Sequence, residues 1–488
     1  MASRCAPLMF TLLLAACGPA VLGNGDDTAD DGKGDTMCST PGATRSCYSG
    51  ASGTENVGPC SGGTQTCSSS GTWDPCNGEI VPSQELCGNG VDDNCSGQVD
   101  EDVDTDADGF TTCGGDCCDS TSEGCGSPAL VNPGAFEAMG NLVDDDCDGM
   151  VDNTAAVSCD TGLASNSATA LDYAKAMELC QTTTAAGTRW GVISAQFLLP
   201  SGTGTPNANQ RAIRTGFGGT TVQGGSSFAV LSTGAAAATG QTNPAFRAFQ
   251  TAAGLGGTST VPADWYAANN NTIPNAPGCP PPQGGAQVND PIMLELTIRA
   301  PTNAKSFKLS TNFLSSEYPE WTCSPYNDFF VVLLDSAWAG QPANPTDKNL
   351  AIYTSAANAK YPVGVNLASG NTGLFTVCKN GAVGCGGGSV AGSITTCMAT
   401  TELVGTGMDG LNPAPNALAA NDPGYCGANN QVGGGTGWLV TSGNVKGGEV
   451  IKLRIALWDT SDGIYDSVSI LDNFQWSVEA AQPGTVIF

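Results

Sequence analysis

The spacing of apolar residues divides this chain into two kinds of sequence. From about residue 291 onward apolar positions alternate with others: Ile292, Leu294, Leu296 and Ile298, then Phe307, Leu309 and Phe313, then Ile451, Leu453, Ile455 and Leu457. A period of two sets one face of a strand against a core. Val468, Ile470, Asp472, Phe474, Trp476 and Val478 carry the same alternation, with a carboxylate set into the apolar face. Residues 329–334 are apolar on both faces, which predicts a central strand. Gly- and Asn-rich loops separate these runs, and the pattern predicts an antiparallel β-sandwich. Further upstream, 190–193 and 228–231 read as short strands, and 202–225 and 269–287 as loops. Leu171, Ala174, Met177 and Cys180 recur at helical spacing, so one packing helix is expected over 168–182.

Before residue 154 no such pattern exists, and other chemistry takes its place. Residues 37–86 form a loop-rich module with Cys38, Cys47, Cys60, Cys67 and Cys76, and Cys87 is expected to complete a set of six. So little apolar material needs covalent staples to fold. Residues 87–153 hold three loops in which oxygen-bearing side chains run into a glycine. They are Asp92-Asp93-Asn94-Cys95-Ser96-Gly97 with Asp100, then Asp104-Thr105-Asp106-Ala107-Asp108-Gly109, then Asp144-Asp145-Asp146-Cys147-Asp148-Gly149 with Asp152. Oxygens at positions 1, 3 and 5 followed by a turn-forming glycine suit a loop that wraps a hard cation. The first and third loops repeat each other, since Asp92, Cys95, Gly97, Val99 and Asp100 recur 52 positions later. None is an EF-hand, because the twelfth position counted from Asp104 is Gly115 and flanking helix patterns are absent.

Charge sharpens this reading. Eighteen Asp and Glu lie between Glu85 and Asp152, with no Lys or Arg between Arg45 and Lys175. Two carboxylates about 5 Å apart repel by roughly 3 kcal/mol at an effective dielectric near 20, so a cation is the natural partner. Calcium is the expected ion. Its expected ligands are Asp92, Asn94, Asp100, Asp104, Asp106, Asp108, Asp144, Asp146, Asp148 and Asp152. The chain has no histidine and a formal net charge of −29. That excludes His-based catalytic triads and His-ligated zinc, and it excludes the basic stripe that nucleic-acid binding needs. The twenty cysteines from Cys38 onward are even in number and lack any C-x-x-C pair. In an exported protein they read as a disulfide framework, with neighbours Cys117 and Cys118 bonded to different partners.

Three resemblances fit these residues. Residues 104–109, Gly115-Asp116-Cys117, Asn132-Pro133-Gly134-Ala135, Glu137 and 144–152 resemble the MopE-type metal-binding repeat of bacterial secreted proteins, named after a copper-binding surface protein. The all-oxygen ligand set here suits calcium better than copper. Leu14-Ala15-Ala16-Cys17, closing a short apolar run after Arg4, resembles a bacterial lipobox. The resemblance implies a signal peptide at 1–16, a lipid on Cys17, a flexible tether over 17–36, and export to the outer membrane or cell surface. Leu314-Ser315-Ser316-Glu317-Tyr318-Pro319-Glu320-Trp321, Tyr326-Asn327-Asp328-Phe329-Phe330 and the pair Leu457-Trp458-Asp459 and Tyr465-Asp466-Ser467 resemble the choice-of-anchor L domain. That domain would span 154–480. The resemblance implies a surface protein with variable anchoring and no established activity.

The expected fold is therefore mainly β, with disulfide-rich Asp-loop modules before a C-terminal antiparallel β-sandwich carrying one or few short helices. The expected function is a calcium-binding, lipid-anchored surface protein in adhesion or matrix contact. It would be no enzyme, with the membrane and a polysaccharide or surface-protein ligand as partners. A carbohydrate-binding module would instead need Trp321, Tyr326 and Trp438 on one flat face, and a glycoside hydrolase would need a pair such as Glu317 and Glu320 in a cleft. A second acidic cluster is also expected: Asp472 with Asp459, Asp462 and Asp466, joined by Glu317 and Asp328, pinning one end of the sandwich.

Overall fold

The computed structural model describes residues 36–488 except 84, 154–158, 251–254, 256, 411–425 and 428. The segment 1–16, Cys17 and the tether up to residue 35 lie outside the described residues. The chain divides between Glu101 and Asp102 into two compact units, a division that falls inside the Asp-rich stretch.

In the first unit, β1 (Thr44–Cys47) and β2 (Gly63–Thr66) pair antiparallel. Both strands are short and have no fully buried face. Covalent links supply what burial does not: Cys38–Cys67, Cys47–Cys76 and Cys60–Cys95. The expected closed set of six is not formed, because Cys60 takes Cys95 of the first Asp loop as its partner. All twenty cysteines from Cys38 to Cys426 are disulfide-bonded, and Cys117 and Cys118 do part company, to Cys147 and Cys125.

The second unit is a sandwich of two antiparallel sheets. Its strands in chain order are β3 (Gly191–Leu198), β4 (Arg211–Arg214), β5 (Phe228–Ser232), β6 (Thr258–Thr260), β7 (Gln287–Arg299), β8 (Ser306–Ser315) and β9 (Phe329–Asp335). Two small hairpins follow, β10 (Ile352–Thr354) with β11 (Lys360–Pro362) and β12 (Gly381–Val383) with β13 (Gly392–Ile394). The last four are β14 (Gly434–Asn444), β15 (Val450–Asp459), β16 (Ser467–Ser477) and β17 (Gly484–Ile487). One sheet runs β17-β14-β8-β16-β5-β4, and the other β3-β7-β15-β9 with β6 beside β7. Leu294, Leu296 and Ile298 of β7, Leu453, Ile455 and Leu457 of β15, and Phe307, Leu309 and Phe313 of β8 meet in the central core, all fully or nearly fully buried. The alternation of these strands is thus the alternation of their two faces.

The apolar run in β9 has a different cause from the one expected. β9 ends its sheet rather than lying in the middle. Phe330, Val332 and Leu334 face the central core, while Phe329, Val331 and Leu333 pack in a second cluster with Trp265 and Trp458. Trp265 comes from α2 (Ala263–Ala268), which covers the outer face. An all-apolar strand therefore reports two covered faces, not a central position. β4, buried at all four positions, lies within 202–225, which the sequence presents as a loop. The expected helix shrinks to α1 (Ala170–Lys175), because Glu178 takes a left-handed φ of 69° and Cys180 is drawn to Cys159.

The period of two also breaks in β16. Its pairing with β8 shifts between Asp472 and Gln475, and Asn473 between them has φ 52°. Val468 and Ile470 pack on the outer face, whereas Leu471 and Phe474 join the central core. Asp472 stays on the outer side, where its Oδ2 accepts the N–H of Gln223 at 2.6 Å and of Gly224 at 3.4 Å. It therefore does not join Asp459 and Asp466. Six residues of strand separate it from Asp466, roughly 20 Å, and the acids acting on it and on Glu178 beside it include Asp160.

Burial lifts Asp472 to about 6, and burial with the Asp472 charge lifts Glu178 to about 7. Both folded values exceed those of an unfolded chain, so the stability they contribute is complete below about pH 4 and is lost as pH rises through 6–7. The melting temperature at fixed saturating calcium is expected to fall between pH 5 and 7.5. Asp472→Asn should flatten that slope, and a slope identical to wild type would refute the assignment.

Candidate metal centre

The three Asp loops share one backbone. Position 4 is left-handed in each, at Cys95 (φ 57°), Ala107 (φ 64°) and Cys147 (φ 55°), and the glycine at position 6 has φ 93°, 94° and 90°. Only glycine takes such a φ without strain. The turn aims the first aspartate back at the loop. Asp92 accepts the N–H groups of Ser96 at 2.9 Å and Gly97 at 3.0 Å, Asp104 those of Asp108 at 3.1 Å and Gly109 at 3.0 Å, and Asp144 those of Asp148 at 3.1 Å and Gly149 at 2.9 Å. Position 3 supports the same turn: Asn94, Asp106 and Asp146 each accept one of those N–H groups through Oδ1.

Among the described residues, carboxylates converge at each loop as a result, in four sets whose ligand atoms lie within 4.8 Å of one another. In the middle loop these are Asp104, Asp106 and Asp108, and Asp106 is shared with a second set formed by Asp116 and Asp119. In the third loop they are Asp144, Asp146 and Glu137, and in the first Asp92, Glu85 and Glu101. Asn94 completes the first loop, its amide donating to Glu101 at 2.9 Å.

Asp100, Asp148 and Asp152 are placed otherwise than expected. Asp100 accepts the N–H groups of Asn89 and Gly90, and Asp152 those of Gly140, Asn141 and Leu142. Their oxygens hold the preceding turn and do not converge on the loop. Asp148 is engaged by Met150 N–H at 2.9 Å and the Asn153 amide at 2.7 Å, much as Asp108 is by Phe110 N–H and the Asn132 amide, but unlike Asp108 it does not join the converging set of its loop. Glu85 and Glu137 stand in their place, seven residues before the first aspartate of each loop. Glu137 accepts the N–H of Asp145 and of Asp152, while Glu85 accepts those of Asn94 and Asp100. The repeat itself could have revealed them, since Glu85, Asn89 and Asp93 recur at the same 52-residue step as Glu137, Asn141 and Asp145.

The electrostatics are those of crowded acids. Burial, together with Asp145, pushes Glu137 up to about 7, and burial pushes Asp116 up to about 6. Asp106, Asp108, Asp145 and Asp146 are also raised, by burial first and by neighbouring carboxylates. Oδ2 of Asp106 is buried and meets no hydrogen-bond donor. An inward-facing acceptor of this kind suits a cation. The donor set decides which kind. No histidine exists, and every described cysteine sulfur is locked in a disulfide, so neither imidazole nor thiolate is on offer. The residues fit a hard, oxygen-seeking ion and do not fit copper.

The loops of the second unit are fixed to its sandwich. Asn303, in the turn after β7, donates to the carbonyl of Phe136 at 2.8 Å and accepts its N–H at 3.0 Å. Thr302 donates to Asn132 Oδ1 at 2.7 Å, and the Asn132 amide donates to Asp108 at 2.7 Å.

The other predicted groups are placed as follows. Glu317, Asp328, Asp459 and Asp466 are all buried, and Asp462 is half-buried. Glu320 is buried beside them in sequence. Trp321 and Tyr326 are half-buried and pack edge to face, with ring centroids 5.2 Å apart, whereas Trp438 packs on Phe228 in the outer cluster. The three aromatics thus do not form one flat face.

Residues 77–101 and 127–153 match the family model described as "Putative metal-binding motif", of the Cu-binding MopE type. Each matched segment holds one copy of the repeat, the first with Glu85 and Asp92, the second with Glu137 and Asp144. The middle loop falls between them. No curated protein and no solved structure matches the chain.

Proposed function

We propose that the three Asp loops bind calcium and that the chain is an exported, lipid-anchored surface protein whose sandwich domain serves adhesion or matrix contact. The carrying observation is the donor set, carboxylate oxygens converging in each loop, with the Asn94 amide beside them in the first, and imidazole and thiolate ligands absent. The disulfide framework supports an oxidising location. The lipobox-like Leu14-Ala15-Ala16-Cys17 supports anchoring, and the likeness of 154–480 to choice-of-anchor L domains supports a surface role without catalysis.

Calorimetry on the full-length protein is expected to show calcium uptake with a dissociation constant around 0.1–1 mM, the range of extracellular modules. Copper(II) should fail to displace it at equal concentration. Absence of calcium heat, or displacement by copper, would refute the ion assignment. For the anchor, Cys17→Ser should move the protein from the membrane to the soluble fraction. Acyl chains contribute roughly 0.8 kcal/mol per buried methylene, so a multiply acylated wild type stays bound. A freely soluble, unmodified wild type would remove the anchor from this reading. Binding to surface polysaccharide, measured on glycan arrays with and without calcium, tests the contact role.

A further inference from the structure

At one end of the sandwich, strand ends from both sheets line up acids that the Asp loops do not use. They are spaced more widely than the loop acids, with no three of them offering oxygens within 4.8 Å of one another. Asp328 immediately precedes β9 and Asp459 closes β15, neighbouring strands of one sheet. Glu317 follows β8 and Asp466 precedes β16, neighbouring strands of the other. Asp328, Asp459 and Asp466 are each at most 1% exposed, as is Glu317, and Asp290 of β7 is 4% exposed. The charges acting most strongly on Asp328, Asp459 and Glu317 are those of the other acids in this group. Among the described residues no ion pair engages any of Glu317, Asp328, Asp459 and Asp466.

Their hydrogen bonding is incomplete in one direction. Asp328 accepts the Ser467 hydroxyl through Oδ2, and Glu317 accepts the Asp328 N–H at 3.1 Å. Both oxygens of Asp459, Oδ1 of Asp328 and Oδ1 of Asp466 are buried and meet no donor in hydrogen-bonding geometry. The Thr233 hydroxyl lies near Asp459 and Asp466, but its single proton can serve at most one oxygen. Buried carboxylate oxygens in that number are costly without a partner. Gly234 borders the group, and a Cβ there would overlap the Asp466 carboxylate, so the chain leaves this space to oxygen atoms.

We propose that Asp328, Asp459 and Asp466, with Glu317 and Asp290 around them, hold a divalent cation between the two sheets. The ligands are all oxygen, so the class is a hard ion such as calcium. The ion would join strand ends of opposite sheets, a junction the apolar core does not reach. This site lies outside both matched segments and does not depend on the Asp loops binding anything.

The test counts ions on the full chain by equilibrium dialysis with radioactive calcium. A variant with Asp92→Asn, Asp104→Asn, Asp106→Asn, Asp144→Asn and Asp146→Asn is expected to retain one ion per chain, and adding Asp459→Asn should abolish it. A native-like loop variant that binds no calcium would overturn the proposal, as would one whose ion survives Asp459→Asn. Loss of no ions on mutating the loops would instead refute the loop sites alone. Should the multiple variants fail to fold, Asp459→Asn alone decides. It should lower the ion count by one, melt below wild type in calcium, and melt at or above wild type in chelator, where repulsion is relieved. An unchanged count, with melting at or above wild type in both conditions, would mean that protons fill the cluster and would overturn the proposal.

Discussion

Stripping calcium from the full-length protein is expected to lower the unfolding free energy of its second unit by about 3 kcal/mol through its two loops alone, to which the ion between the sheets adds. At free calcium tenfold above the dissociation constant, each bound ion adds about 1.4 kcal/mol by mass action, and two of the loops, 104–109 and 144–149, belong to that unit. For a unit of this size the shift in melting temperature is a few degrees. The removal also leaves Asp104, Asp106 and Asp108 facing one another with Asp116 and Asp119 close by, so repulsion adds to the loss. Asp106→Asn should lose about half of the calcium-dependent increment, because that residue belongs to both acidic sets of the middle loop. Superimposable melting curves in calcium and in chelator would rule the effect out.

The second large effect is expected from removing the Cys117–Cys147 disulfide. It closes 30 residues, and the loop entropy it takes from the unfolded chain corresponds to about 3–4 kcal/mol. The double variant Cys117→Ser, Cys147→Ser should therefore shift the denaturant midpoint strongly at any calcium concentration. A second consequence separates the bond from a mere staple. Cys147 is position 4 of the third loop and sits at φ 55°, so the bond also holds the turn that brings Asp144 and Asp146 together. The calcium-dependent part of stability should shrink in the double variant. If the midpoint moves but the calcium increment is unchanged, the bond does not organise the ion site.

What the sequence disclosed depended on how local the cause was. Positions 1 and 3 of each loop were legible because a loop of six residues with a glycine turn places them by backbone geometry alone. Asp100 and Asp152 misled, since an acid three residues past the glycine has two uses, binding an ion or holding N–H groups, and spacing does not choose between them. Glu137 lay outside the loop and was legible as a motif residue but not as a ligand, and Glu85 was visible only as its counterpart in the repeat. The sandwich strands β7, β8 and β15 were legible from alternation. β9 was found but misplaced, because an apolar outer face can be covered by α2 as well as by a neighbouring sheet. Asp472 keeps the parity of Val468 and Ile470 but not that of Phe474, because a single extra residue at Asn473 resets the alternation. The length of strand between it and Asp466 keeps it from the other acids. The gathering of Asp328, Asp459 and Asp466 needed only that strand ends meet, which is why it was half visible from sequence. The inclusion of Asp290 depends on sheet order and was not.

That sheet order also sets the timing by which the chain completes itself. β8 lies between β14 and β16, and Ser315 pairs with Gly434 on one side and Ser467 on the other. β5 waits longer still, its Ser232 opposite Val468. A ribosome adding roughly 5–20 residues per second would leave β8 without either neighbour for on the order of ten seconds after its synthesis. The loops need no such wait, because their pairings span a few tens of residues. Until then the largest sheet has its central strand bare, whereas the acidic modules wait only for the oxidising compartment that closes their disulfides, which makes the unfinished sandwich the natural client for holding factors.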